Sequence, residues 1–105
     1  MAVPAAAIEV LEQRAGEAAQ LLKLLANETR LLILCRLVAT GEMSVNAIVA
    51  AAGLGQSAIS QHLAKLREDN LVATRRDGQT IYYRIADENV ARVIAVLKDI
   101  YCRDG

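Results

Sequence analysis

The chain is poor in the residues that mark several common classes of protein. Among 105 residues it has no Trp, no Phe, one Pro, one His and two Cys. Two cysteines are too few for the disulfide framework of a small secreted domain. No stretch approaches the roughly 20 consecutive apolar residues that span a bilayer. The N-terminal "MAVPAAAIEVLEQ" also lacks the basic region of a secretion signal. We therefore expect a cytoplasmic protein with reduced thiols and no membrane contact.

The composition also limits the core and the partners. The 12 basic and 12 acidic residues cancel, so bulk charge does not favour indiscriminate binding to nucleic acid, although a local basic surface stays open. The chain is 54% hydrophobic but only 3% aromatic, which predicts an aliphatic core of packed helices. Its length predicts a single domain over residues 1–105. So much aliphatic surface on a small domain also suggests a partner subunit.

The first half of the chain has helical periodicity. Residues 5–25 predict one amphipathic helix, and its apolar stripe suits either the core or a dimer interface. The stripe consists of Ile8, Leu11, Ala15, Ala18, Leu22 and Leu25. A second helix is predicted from an Asn27 cap to a stop at Gly41. It places Cys35 on an apolar face together with Leu31, Leu34 and Val38.

Two short helices are predicted next, with only "GLG" between them. The first begins after Ser44 and ends at Gly53, and the second covers residues 55–70. The second would bury Ile59, Leu63 and Leu66. Two short helices joined by a tight turn that contains glycine are the helix-turn-helix pattern.

The segment "LVATRRDGQTIYYRI" changes to a period of two and contains Asp77–Gly78 between its two runs, which predicts a β-hairpin. A last helix is predicted from Asp87, with an apolar face formed by Val90, Val93, Ile94, Leu97, Ile100 and Tyr101. The predicted fold is therefore mainly α with a β-hairpin wing, a winged helix-turn-helix.

This arrangement predicts binding to double-stranded DNA. Once the second short helix turns its apolar side to the core, glutamine and serine side chains lie on its free face, where they can bond base edges or phosphates. Basic side chains on the hairpin can reach phosphate beside a helix in the major groove. The predicted DNA-binding residues are Gln56, Ser57, Ser60, Gln61, His62, Lys65, Arg75, Arg76, Gly78 and Arg84.

Metal and enzyme chemistry find little support. His62 is the only histidine, and no carboxylate or second histidine stands at ligand spacing from it, so we assign it to helix packing or phosphate contact. The sequence shows no nucleophile–base pair, phosphate loop or carboxylate dyad in a recognisable context. We expect no cofactor, no metal site and no enzymatic activity.

Three segments resemble the ArsR/SmtB-type winged-helix repressors of bacteria: "LANETRLLILCRL", "SVNAIVAAAGLGQSAISQHLAKLREDNLV" and "RRDGQTIYYRI". The resemblance covers residues 18–102. It implies a homodimer through the first and last helices, and contacts to DNA at Gln56, Ser57, Ser60 and Gln61. Asn70 stands where the family usually has glycine, and asparagine also tolerates the left-handed conformation.

The resemblance also bears on what the protein senses. The metal-binding motifs of the family are missing: "EMSVNAI" has no thiol, and the last helix has acids but no histidine. The pair Cys35 and Cys102 instead resembles the sulfide-responsive branch, the BigR/SqrR-type repressors, which sense persulfide or polysulfide. A cysteine at a fraying helix end is also more reachable than a core residue would be.

Other functions stay open at this point. Cys35 and Cys102 could serve a metal-responsive repressor of the same family or a general sensor of thiol oxidation. A winged helix that binds only proteins is a further alternative, although the glutamine and serine face and the arginines of the wing argue against it.

Overall fold

A computed structural model describes residues 2–102. Six helices and three strands follow one another in the order helix–helix–helix–strand–helix–helix–strand–strand–helix. They are α1 Ala5–Gln13, α2 Ala15–Leu25, α3 Glu28–Thr40, β1 Glu42–Ser44, α4 Val45–Ala52, α5 Gln56–Glu68, β2 Val72–Asp77, β3 Thr80–Ile85 and α6 Glu88–Tyr101. The predicted winged helix-turn-helix is confirmed.

The prediction of one helix over residues 5–25 is wrong. Arg14 leaves helical geometry with φ −113° and ψ 20°, and it ends α1 and precedes α2. Gly16 follows in the first turn of α2, where a weak helix former does little to keep the helix continuous. Of the apolar stripe, Leu25 is buried, whereas Ile8 and Leu22 are exposed. The protomer therefore leaves most of this stripe in solvent.

Helix α3 begins and ends where its sequence predicts. The side chain of Asn27 accepts a hydrogen bond from the backbone N–H of Arg30 at 3.0 Å, which satisfies an otherwise free donor of the first turn. Gly41 follows the last turn with φ 89°, a conformation that suits glycine. The core side of α3 consists of Ile33, Leu34 and Leu37, each at most 1% exposed.

The helix-turn-helix is also confirmed in its details. The Ser44 hydroxyl accepts from the backbone N–H of Ala47, and Gly53 ends α4 in the left-handed conformation. Helix α5 buries Ile59, Leu63 and Leu66 as predicted. The short strand β1 was not predicted, because three residues are too few for a periodic pattern to show.

Three antiparallel strands form the wing, in the order β1–β3–β2. Asp77 pairs with Thr80, so the turn consists of Gly78 and Gln79, one position later than the predicted Asp77–Gly78 tip. Gly78 has φ 64°, as such a tight turn requires. Asn70, between α5 and β2, has φ 62° and takes the left-handed conformation that its sequence position predicts.

Helix α6 closes the domain. Asp87 caps it by accepting from the backbone N–H of Asn89, and Val90 and Ile94 join the core. Ile100 and Tyr101, predicted on the same face, are 55% and 80% exposed. Within residues 2–102 no helix is long and apolar enough to cross a membrane.

Candidate DNA-binding surface and cysteine groove

Helix α5 presents a polar face to solvent. Its core-facing side chains are buried, and the four polar residues predicted to read DNA are all exposed: Gln56, Ser57, Ser60 and Gln61. No backbone or side-chain hydrogen bond within residues 2–102 engages their side-chain amides or hydroxyls. These groups are therefore available to donate to and accept from a partner.

Two further predicted contacts on α5 differ from these four. His62 is half-buried, which fits the packing role allowed for it. The Lys65 ammonium lies 3.1 Å from the carboxylate of Asp69, one helical turn later. The Lys65 side chain is largely exposed, but the Asp69 Oδ2 that it approaches is buried and accepts no hydrogen bond within the described residues, so a phosphate contact by Lys65 would have to replace this pair.

Arg75 on β2 is held in place by two neighbours. Its guanidinium donates two hydrogen bonds to the Glu42 carboxylate, at 2.8 and 2.7 Å, and its Cζ lies 4.4 Å from the centroid of the Tyr82 ring. The hydrogen bonds from Arg75 lower the pKa of Glu42 and raise the pKa of Arg75. Arg75 thus spans the sheet from β2 across β3 to β1, and its predicted phosphate contact would require it to leave this position.

Arg76 and Arg84 are in a different situation. Both are exposed, and neither forms an ion pair with the described part of the chain. Arg84 lies opposite Glu42 in the sheet and helps to lower the pKa of that carboxyl.

Gly78 lies at the tip of the wing, where no atom lies within 4 Å of the place a Cβ would occupy. The tip can therefore approach a partner backbone closely.

The two cysteines line one groove between α3 and α6. The groove has a volume of about 570 Å³ and an almost entirely apolar lining. It is lined by Leu31, Cys35, Val38, Ala39, Ala91, Ile94, Ala95, Leu97, Lys98, Tyr101 and Cys102. Although distant in sequence, the two thiols thus line a single groove.

The two thiols differ in their surroundings. Both are free and accessible to solvent. Around Cys35, however, the side chains of α3 and α6 displace enough water to raise the pKa of the thiol. Cys102 follows the last residue of α6, and its backbone N–H still donates to the carbonyl of Lys98 at 2.7 Å. Within residues 2–102, no three side chains of His, Cys, Asp or Glu come together in a way that could hold a metal ion.

Sequence reasoning missed three residues of these sites. Lys98 lines the cysteine groove, and its position four residues before Cys102 on a predicted helix was a usable signal. Glu42 and Tyr82, which hold Arg75, had no such signal. Their arrangement depends on strand β1 and on the register of the sheet.

Comparison with known proteins identifies the family. Residues 27–74 match the model of the bacterial regulatory proteins of the arsR family. The nodulation protein NolR of Rhizobium meliloti is 53% identical over 87 residues, which cover 83% of this chain and 70% of that protein. The chain belongs to the ArsR family.

Two solved structures extend the similarity to the whole fold. Reduced HlyU from Vibrio cholerae superposes with a TM-score of 0.82 at 44% identity, over 90% of this chain and 98% of that one. The transcriptional repressor BigR from Xylella fastidiosa gives a TM-score of 0.85 at 41% identity, over 90% and 95%. The relatives in this family are transcriptional regulators rather than enzymes. This chain is accordingly a DNA-binding transcriptional regulator.

Proposed function

We propose that the protein is a dithiol-regulated repressor. It binds operator DNA when reduced and is released when a persulfide or polysulfide links Cys35 to Cys102. The observation that carries the proposal is the single groove that both thiols line. The similarity to BigR, a repressor, and to HlyU solved in its reduced form supports it.

The order of the two thiols follows from their surroundings. A thiolate is the attacking species, and partial burial raises the pKa of Cys35, which disfavours the thiolate form at that position. Cys102 stands at the accessible end of α6. Cys102 therefore attacks first, and Cys35 resolves the product.

The chemistry is sulfur exchange in two steps. The Cys102 thiolate bonds to a sulfane sulfur of the donor, and the donor's S–S bond breaks with its electron pair on the departing thiolate or shorter polysulfide. Cys35 then loses its proton to solvent, attacks the Cys102 persulfide and expels hydrosulfide. Across both steps the two protein thiols lose two electrons, and one sulfane sulfur gains them. The bridge contains extra sulfur atoms when Cys35 attacks further along a longer chain.

The bridge acts by fastening α6 to α3. Helix α3 packs against α4 and α5 of the helix-turn-helix, so a change in the angle between α3 and α6 reaches the recognition helix. In a dimer whose recognition helices enter successive major grooves, half-sites lie about 34–36 Å apart. A small rotation at the dimer interface therefore lowers affinity for the operator.

The dimer itself is part of the proposal. Helix α1, the residues just before it and helix α6 leave apolar side chains in solvent that a second copy would cover: Val3, Ile8, Val10, Leu11, Val96, Ile100 and Tyr101. We assign residues 1–105 to one cytoplasmic winged-helix domain with dimerisation helices at both ends.

The DNA contacts follow from exposure. In the major groove, base edges or phosphates would be contacted by the exposed polar face of α5, which consists of Gln56, Ser57, Ser60 and Gln61. The adjacent DNA backbone would be contacted by Arg76, Arg84 and the Gly78 turn. His62, Lys65 and Arg75 are assigned secondary roles because each is packed or paired.

Mass spectrometry of the treated protein tests the chemistry. After glutathione persulfide or inorganic polysulfide, we expect a link between the peptides that carry Cys35 and Cys102, with the mass of a disulfide or, where Cys35 attacks a longer chain, heavier than that by multiples of about 32 Da. Cys35→Ser and Cys102→Ser should each take up sulfur without forming the link. Linkage by hydrogen peroxide alone, at equal speed, would instead identify a general sensor of thiol oxidation.

A further inference from the structure

Among the residues that the structure describes, the groove that holds both thiols has one charged side chain in its lining, that of Lys98. Lys98 lies four residues before Cys102, and residues at that spacing share a helix face. The N–H of Cys102 donates a 2.7 Å hydrogen bond to the carbonyl of Lys98, which extends the last helical turn to Cys102, and both residues line the groove. A cation and the Cys102 thiol therefore line the same groove, one helical turn apart in sequence.

Within residues 2–102, no acid lies in the groove beside this cation. Among the described residues, the rest of the lining consists of aliphatic side chains, Tyr101 and the two cysteines. Asp99 lies on the same turn of α6 but is not part of the lining. The Lys98 stem can cover apolar surface while its ammonium stays in water at the groove mouth.

We propose that Lys98 is a specificity-determining residue that draws anionic sulfur donors to Cys102. The inference rests on the proposed function and adds the class of donor. Persulfides and inorganic polysulfides are largely anionic near neutral pH, and an apolar groove alone would disfavour them because an anion loses hydration there. A nearby ammonium offsets that loss and raises the local concentration of the donor. A neutral organic trisulfide needs no such help.

The test compares donors of different charge in a background where only one thiol reacts. The rate of Cys102 modification is measured by quenched alkylation and mass spectrometry in the Cys35→Ser protein, so that it does not depend on bridge formation. The donors are inorganic tetrasulfide, an anion, and dimethyl trisulfide, a neutral molecule. The variants added to this background are Lys98→Met, Lys98→Arg and Asp99→Asn.

We expect Lys98→Met to slow the reaction with tetrasulfide about fivefold at low salt, the size of one ion-pair contact in water, and to leave the trisulfide rate unchanged. Lys98→Arg should retain the wild-type ratio of the two rates. High salt should reduce the effect of Lys98→Met, because the charges are screened. Asp99→Asn should change the ratio far less than Lys98→Met does.

Three results would overturn the inference. Equal slowing with both donors would indicate a structural role for Lys98, and unchanged rates would remove the role altogether. A change with Asp99→Asn as large as that with Lys98→Met, in the opposite direction, would indicate general electrostatics rather than a contact in the groove. The proposed function fails separately, if the wild-type protein forms no link between Cys35 and Cys102 with either donor.

Discussion

Helices α5 and α6 are nearly equal in length, and each buries one face, yet their free faces differ. The free face of α5 is polar, with Gln56 and Gln61 in solvent, whereas α6 exposes Val96 at 58% and Ile100 at 55%. A polar free face can remain in water or bond to nucleic acid, while exposed aliphatic side chains gain from contact with another apolar surface. In the proposed function, α5 is accordingly the helix that reads DNA, and α6 is the helix that serves assembly and thiol chemistry.

The largest expected effect concerns the exposed apolar face of α6. Val96→Glu places a carboxylate without a partner in the proposed dimer interface, and desolvation of such a charge costs several kcal/mol. We expect the dimer to dissociate at micromolar concentrations in sedimentation experiments. The control is Asp99→Ser, an exposed polar position on the same helix, which should sediment as wild type. A stable Val96→Glu dimer would refute the assignment of this face.

The next effect separates the two faces of α5. Ile59 is fully buried, so Ile59→Ala should reduce the free energy of unfolding by about 2–5 kcal/mol in urea denaturation. Ser60→Ala, one residue away on the exposed face, should stay within about 0.5 kcal/mol of wild type. Similar losses for both variants would show that the helix does not have the orientation described.

A smaller effect distinguishes the DNA contacts of α5 from those of the wing. Gln61→Ala should cost about 1–3 kcal/mol in discrimination between the operator and a mutated operator, because base contacts carry sequence information. Arg76→Ala should weaken binding to all DNA similarly and reduce the salt slope by about one unit. Fluorescence anisotropy at several salt concentrations measures both. The roles are reversed if Arg76→Ala relaxes specificity and Gln61→Ala does not.

The smallest effect concerns Arg75 within the wing. Because Glu42 and Tyr82 hold its guanidinium, we expect Arg75→Ala to change the salt slope for DNA less than Arg76→Ala does. The lowered pKa of Glu42 means that this pair stabilises the fold above the ordinary pKa of a glutamate. That contribution is lost as the pH falls through the folded pKa. Glu42→Gln should therefore flatten the acid side of the stability profile slightly, and an unchanged profile would show that the pair contributes nothing.

Much of the fold was predictable because it depends on local signals. The caps at Asn27 and Ser44, the stops at Gly41 and Gly53, and the buried triad of α5 follow from residue type and helical spacing. The break at Arg14 was not predictable, because the apolar stripe continues through it in sequence. Strand β1 forms only through its partner β3, which lies 36 or more residues later.

In the candidate sites too, some features follow from local sequence and others depend on tertiary packing. The polar face of α5 could be predicted from periodicity alone, since burial of Ile59 leaves Gln56 and Gln61 on the other side. Cys35 and Cys102 line one groove because α3 packs against α6, and local sequence does not encode that packing. Glu42 binds the Arg75 side chain that the sequence assigned to DNA contact. This is a tertiary contact, and no local sequence pattern indicates it.

The most direct test of the central claim is release of operator DNA by a sulfur donor in single-cysteine variants. Wild-type protein, Cys35→Ser and Cys102→Ser are bound to fluorescent operator and treated with inorganic polysulfide, then with dithiothreitol. We expect all three to bind equally when reduced, only the wild type to release DNA, and the reductant to restore its binding. A Cys102→Ser protein that releases DNA as readily as the wild type would contradict the account, because one thiol cannot fasten α6 to α3.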